Sequence, residues 1–237
     1  MPRRLIRILA LVATLAVVLL LVAPGVLFSR PPSTSAEAAA VQVPALAIPP
    51  TPRRATVVTL GDSITAGHGV DAGEDWVALV AEERGWSATN LSDDGSGFLS
   101  IGNNGDTFAD QARLAVALDP ELILIGGSSN DFGRDDAALE AATLATISYL
   151  HDALPDAEII GLSTLWGNDY YPDQLPLIDG QVKRATTLAA GIFLDLGQPL
   201  VGGAGLMQSD EIHPTALGQR MLATAIGDAM TQAGIIY

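Results

Sequence analysis

Five short apolar runs recur between residues 55 and 237, each separated from the next by a longer helix-compatible stretch. This alternation restricts the chain more than any other feature. The runs are 56–60, 88–91, 122–126, 158–163 and 192–196, and the longer stretches are 75–84, 108–118, 136–154, 175–190 and 214–233. Helix-compatible content also extends from Ser63 to Arg84. Strand-length runs that alternate with helices predict a parallel sheet covered on both faces, a three-layer α/β/α domain with a central five-stranded sheet. Right-handed crossovers limit the strand orders available to it.

The residues before this domain are of another kind. Arg3, Arg4 and Arg7 precede Ile8 to Phe28, 21 positions without a charge. Arginines ahead of an apolar run hold that end in the cytoplasm and predict export of the remainder of the chain. Residues 1–28 fit either a signal peptide, with Ala36-Glu37-Ala38 as a small-residue cleavage pattern, or an uncleaved anchor through residues 8–28. Residues 29–54 are rich in Pro and Ala, a composition that opposes regular helix and suits an extended linker. The chain has no cysteine, so disulfides and thiolate metal sites are excluded. The folded part, 55–237, carries six basic against 26 acidic side chains. Such a surface repels polyphosphates, so nucleic acid is not an expected partner.

In a parallel sheet the loops that follow strands gather on one edge, where ligand sites form. Four such loops carry chemistry. Gly61-Asp62-Ser63 follows the first run, and Asp93-Asp94-Gly95-Ser96-Gly97 the second. Ser128-Ser129-Asn130-Asp131 follows the third, and Asp210-Glu211-Ile212-His213 precedes the last helix. Ser63 is a candidate nucleophile, His213 a candidate base, and Asp210 a carboxylate able to hold the imidazole tautomer. The Gly95 N–H and the Asn130 amide are uncharged donors suited to an oxyanion. Each piece alone also fits ordinary turn or capping chemistry, with Asp210 or Thr215 capping the last helix. One active site accounts for all four together.

At these residues the chain resembles the SGNH hydrolases of the GDSL esterase/lipase superfamily. Gly61-Asp62-Ser63-Ile64 matches the first motif and Asp210-Glu211-Ile212-His213 the Asp-x-x-His of the last. Gly95, five positions beyond Asn90, matches the second, with Gly97 the runner-up. Asn130-Asp131 matches the third, although Ser128 stands where that motif has glycine and Gly127 lies one step early. The resemblance implies a flavodoxin-like SGNH fold over 55–237, without a cofactor or metal. It implies a triad of Ser63, Asp210 and His213, and an oxyanion hole from Ser63, Gly95 and Asn130. The implied substrate is a small-molecule or glycan ester, either a carbohydrate acetyl or a short-chain lipid ester. O-acyl transfer to envelope glycans and a catalytically weak glycan-binding module are the alternatives.

The remaining candidates are less specific. Trp166, Asn168, Asp169, Tyr170 and Tyr171 fall in the loop after the fourth run and form an expected substrate wall. His68 reads as a polar surface residue near the pocket, and His151 as a structural residue near a helix C-terminus. Trp76 and Trp86 read as packing residues. Three dispersed histidines match no zinc pattern. Residues 61–69 lack both the Gly-x-Gly-x-x-Gly spacing and a phosphate-loop lysine, which argues against nucleotide binding.

Overall fold

Strands β1 (Thr56–Leu60), β2 (Ser87–Asn90), β3 (Leu122–Gly126), β4 (Glu158–Leu162) and β5 (Ile192–Leu194) form one parallel sheet in the order β2-β1-β3-β4-β5. The computed structural model describes residues 53–167 and 171–236. The apolar segment 8–28, the linker up to residue 52, and Asn168, Asp169 and Tyr170 lie outside the described residues.

The sheet divides the core in two because successive strand side chains point to opposite faces. Val57, Leu122, Leu124, Ile160 and Leu162 pack on one side with Trp76 and Val80 of α2 (Trp76–Arg84) and Leu222, Ile226 and Met230 of α6 (Ala216–Gln232). Val58, Leu60, Ile123, Ile125 and Ile159 face the other side. There they meet Phe108 and Ala112 of α3 (Phe108–Leu118), Leu139, Ile147 and Leu150 of α4 (Asp136–Ala153), and Ile178 and Val182 of α5 (Leu175–Leu188). Four consecutive residues of β3, Leu122 to Ile125, are fully buried, and each such side chain contributes about 1.5–3 kcal/mol of transfer free energy. Trp76 and Trp86 are buried as expected. His151 lies in the last turn of α4.

Several boundaries differ from the sequence expectation. β2 begins one residue earlier and ends at Asn90, and β5 stops at Leu194, two residues short. The helix-compatible stretch after Ser63 divides into α1 (Ser63–Ala66) and α2. Gly67, Gly69 and Gly73 all have positive φ, and a Cβ on Gly67 would lie 2.6 Å from that of Asp75. Left-handed residues end a helix, so the continuous expectation fails there. Helix α6 starts at Ala216, with Thr215 accepting the Gly218 N–H at 3.2 Å.

The strand order reverses between β1 and β3. Chains leaving their C-terminal ends diverge to opposite sides and open a crevice, the site where such sheets bind ligands.

Candidate active site

β1 delivers the chain to Gly61, whose added Cβ would fall 2.5 Å from the Thr65 side chain. Asp62 then caps α1 by accepting the Ile64 N–H at 3.1 Å. Ser63 is thereby the first residue of a helix at the mouth of the crevice. Two fully buried glutamines grip this loop. Gln111 of α3 accepts the Gly61 N–H at 3.0 Å on Oε1 and donates from Nε2 to the Gly61 C=O at 3.1 Å. Gln219 of α6 accepts the Trp76 N–H at 2.9 Å and donates to the Ile64 C=O at 2.9 Å. Sequence reasoning singled out neither; a glutamine on a core-facing helix stripe is the only signal they leave.

The loop before α6 brings His213 to Ser63 across 150 residues. His213 Nε2 lies 3.0 Å from Ser63 Oγ, and Nδ1 lies 2.8 Å from Asp210 Oδ2. Asp210 Oδ1 also accepts the N–H groups of Ile212 and His213, each at 3.0 Å. Glu211 takes a left-handed φ of 60° within this turn. Of the two capping candidates it is Thr215 that caps α6, leaving Asp210 to orient the imidazole. The His213 side chain, then the His213 and Ile212 N–H groups, hold the Asp210 carboxyl well below the usual carboxylate range. It stays ionised, and His213 Nδ1 keeps its proton while Nε2 faces the hydroxyl.

The other two loops lock against the first. Asp93 donates its N–H to the Gly61 C=O at 3.1 Å, and the Ser96 hydroxyl lies 2.9 Å from the same oxygen. Asn90, at the end of β2, donates from Nδ2 to the Thr65 C=O at 2.8 Å. Gly95 has φ +84°, and among the described residues its N–H and that of Ser63 have no hydrogen-bond acceptor. Gly97 donates its N–H to the Ser100 C=O at 2.9 Å, which removes it as a free donor. Asn130 Nδ2 donates to the Ser96 C=O at 3.0 Å. This fixes the amide plane and leaves the second N–H available. Buried Asp131 accepts the N–H groups of Phe98, Leu99 and Ser100 at 2.7, 3.1 and 3.0 Å. It holds the 97–100 turn in place, a role the sequence reading did not assign.

Ser128 is accommodated without strain. Its φ of −114° and ψ of 133° are extended values open to any residue. Its hydroxyl accepts the Asn130 N–H at 3.1 Å and lies 2.7 Å from Asp62 Oδ2 and 2.9 Å from the Ser96 C=O. Asp62 is fully buried, and burial raises its carboxyl above the usual range, with Ser128 as the first opposing hydrogen bond. Gly127 is the position with no room, since a Cβ there would lie 2.1 Å from Thr164 Oγ1.

Residues 59–221 match the GDSL-like lipase/acylhydrolase family. The chain belongs to this family. It is 31% identical to the esterase TesA of Pseudomonas aeruginosa over 179 residues, covering 70% of this chain and 83% of that one. It is 25% identical to a GDSL lipase of Mycobacterium tuberculosis over 182 residues, 72% of this chain and 79% of that one. The fold is similar to that of a salicylyl-acyltransferase from a tetracycline biosynthetic pathway, with a TM-score of 0.64 at 21% identity. That match covers 78% of this chain and 56% of the other. The protein is thus an SGNH-type member of an ester-hydrolase family.

Beside Ser63 this GDSL-family domain has a cavity of about 360 Å³ lined by Ile64, Ser129, Asn130, Trp166, Ile212 and Glu211 among others. Trp166 lines this cavity and meets Phe132 edge-on at 6.0 Å. Tyr171 instead borders a separate depression with Leu175, Lys183 and Phe193. His68, expected as a polar surface residue near the pocket, is exposed, and its ring also lies against His213 with centroids 4.1 Å apart.

Proposed function

We propose that the protein is an exported serine ester hydrolase that cleaves acyl esters through an acyl-enzyme on Ser63. The observation that carries this reading is the unbroken chain from Asp210 through His213 to Ser63 Oγ. As Ser63 Oγ bonds to the ester carbonyl carbon, its proton passes to His213 Nε2, and the carbonyl electron pair moves onto oxygen. The Ser63 N–H, Gly95 N–H and Asn130 Nδ2 stabilise that oxyanion. Collapse expels the alcohol, which takes the proton back from His213. Water, deprotonated by the same imidazole, then releases the acid.

Two features bear on the substrate. Ile64, Trp166 and Ile212 give the cavity apolar walls, and its volume of about 360 Å³ suits a short acyl group. Glu211 at the rim and the acidic surface disfavour anionic leaving groups. Neutral carbohydrate acetyl or short-chain lipid esters fit both. Export is supported by the arginines before the apolar run at 8–28. Transfer to a glycan hydroxyl instead of water is the second outcome, motivated by the fold shared with an acyltransferase.

A fluorophosphonate probe should label Ser63, and Ser63→Ala should abolish both labelling and hydrolysis of a chromogenic short-chain ester while remaining folded. Wild-type activity in Ser63→Ala would refute the assignment. Product analysis with a sugar alcohol present separates hydrolysis from transfer, and mass spectrometry of the mature N-terminus tests export and cleavage.

A further inference from the structure

The cleft contains two imidazole–carboxylate pairs. His68 stacks on His213 with centroids 4.1 Å apart and planes 32° from parallel, and its Nδ1 lies 2.5 Å from Asp94 Oδ2. Gln208 fastens the two histidines together. Its backbone N–H donates to the His213 C=O at 2.8 Å, and its Nε2 donates to the His68 C=O at 2.7 Å and the Pro214 C=O at 3.0 Å. Gly69 leaves room for this staple, since a Cβ there would lie 2.5 Å from the Gln208 amide. Gln208 donates only to backbone carbonyls and so fixes the two loop segments, while the ring contact with His213 and the pair with Asp94 are made by the His68 imidazole itself.

We propose that His68 is a positioning residue for acyl transfer, holding the His213 ring against Ser63 and setting, through its own charge, how readily His213 accepts the Ser63 proton. The proposal rests on reading Ser63 as nucleophile and His213 as base. During attack His213 becomes an imidazolium. A neutral His68 presents a ring face to that cation, which is favourable, whereas a protonated His68 places a like charge beside it. The charged groups around His68 are Asp94, from the loop after β2, and His213 with Asp210 behind it, from the loop before α6. Gln208 adds no charge. Imidazole is the side chain that ordinarily changes charge between about pH 5 and 8.

The test is the acid limb of kcat/KM on a neutral ester, together with imidazole nitrogen NMR of the whole protein. Wild type should lose activity with a slope approaching two protons and show His213 resonances that respond in two steps. His68→Phe keeps a flat ring without a titrating proton, so its slope should fall to one and its His213 response to a single step. Asp94→Asn removes the partner of a protonated His68 and should move the acid limb to lower pH. His68→Ala, which removes the stacked ring, should lower kcat more than His68→Phe. Superimposable acid limbs in wild type, His68→Phe and Asp94→Asn, with single-step His213 titration throughout, would overturn the proposal. Two-step titration in a protein that hydrolyses no ester would instead support the coupled pair and overturn the reading of Ser63.

Discussion

Replacing Gln111 by Met isolates the grip of α3 on the nucleophile loop. The side chain is fully buried and makes three hydrogen bonds, accepting the Gly61 N–H and donating to the Gly61 C=O and Ser96 Oγ. Met nearly conserves the volume, so the cavity contribution is small. The Gly61 C=O keeps the Asp93 N–H, but the Gly61 N–H has no other acceptor among the described residues. One orphaned buried donor costs about 1–3 kcal/mol, and two bonds lost from groups with other partners add about 0.5–1 kcal/mol each. The expected total is about 3 kcal/mol, or roughly 6–12 °C in Tm for a domain of this size. Urea unfolding should show a lower midpoint at unchanged m, and kcat should fall more than KM rises because the displaced atom is Ser63 Oγ. Gln111→Glu has nearly the same shape but brings a buried carboxyl to the Gly61 C=O. Burial raises such a group above its unfolded value, so its deficit should grow as pH rises above about 4. Stability within about 0.5 kcal/mol of wild type for Gln111→Met, with unchanged kcat, would refute the reasoning, since surface changes alone stay in that range.

Two other outcomes concern the oxyanion loops. Asn130→Ala should lower kcat by roughly 10²- to 10³-fold with little change in KM, as expected for a donor used only in the transition state; an unaltered rate would remove Asn130 from the site. Burial and the neighbouring Asp93 carboxylate push Asp106 up to about 6. The unfolded chain releases this proton first, so the stability it contributes below about pH 4 is lost as pH rises through about 6. Asp106→Asn should therefore gain Tm relative to wild type between pH 4 and 7, and parallel melting curves across that range would show the coupling to be absent.

Much of the fold was legible because β1, β3 and β4 are short, mostly buried apolar runs, whereas β2 (Ser87–Asn90) is exposed along its length. The boundaries that failed are those governed by partners. β5 ends at Leu194 because only Ile192, Phe193 and Leu194 pair with β4, and apolar content cannot report where a neighbour stops. The Ser63 to Arg84 stretch broke where glycines adopt left-handed φ, a conformation that helix-compatible composition does not reveal. The site residues divide in the same way. Asp210 and His213 are three apart, so one turn suffices to pair them, whereas Gln111, Gln208 and Gln219 bond to groups at least 50 residues away on the nucleophile and histidine loops or, like Gln208, to both histidine segments at once.

The sequence by itself determined the alternating βα plan, a serine at the end of the first strand, and the local Asp210–His213 pairing, because these depend on neighbours along the chain. Only the tertiary structure decided the strand order β2-β1-β3-β4-β5, which opens the crevice beside Ser63. It also decided which backbone groups at that crevice remained unpaired, and hence which buried amides had to satisfy them. The same packing made Ser128 compatible with the third motif and set the exposed His68 ring against His213. These relations depend on distances between residues remote in sequence, which composition and spacing do not encode.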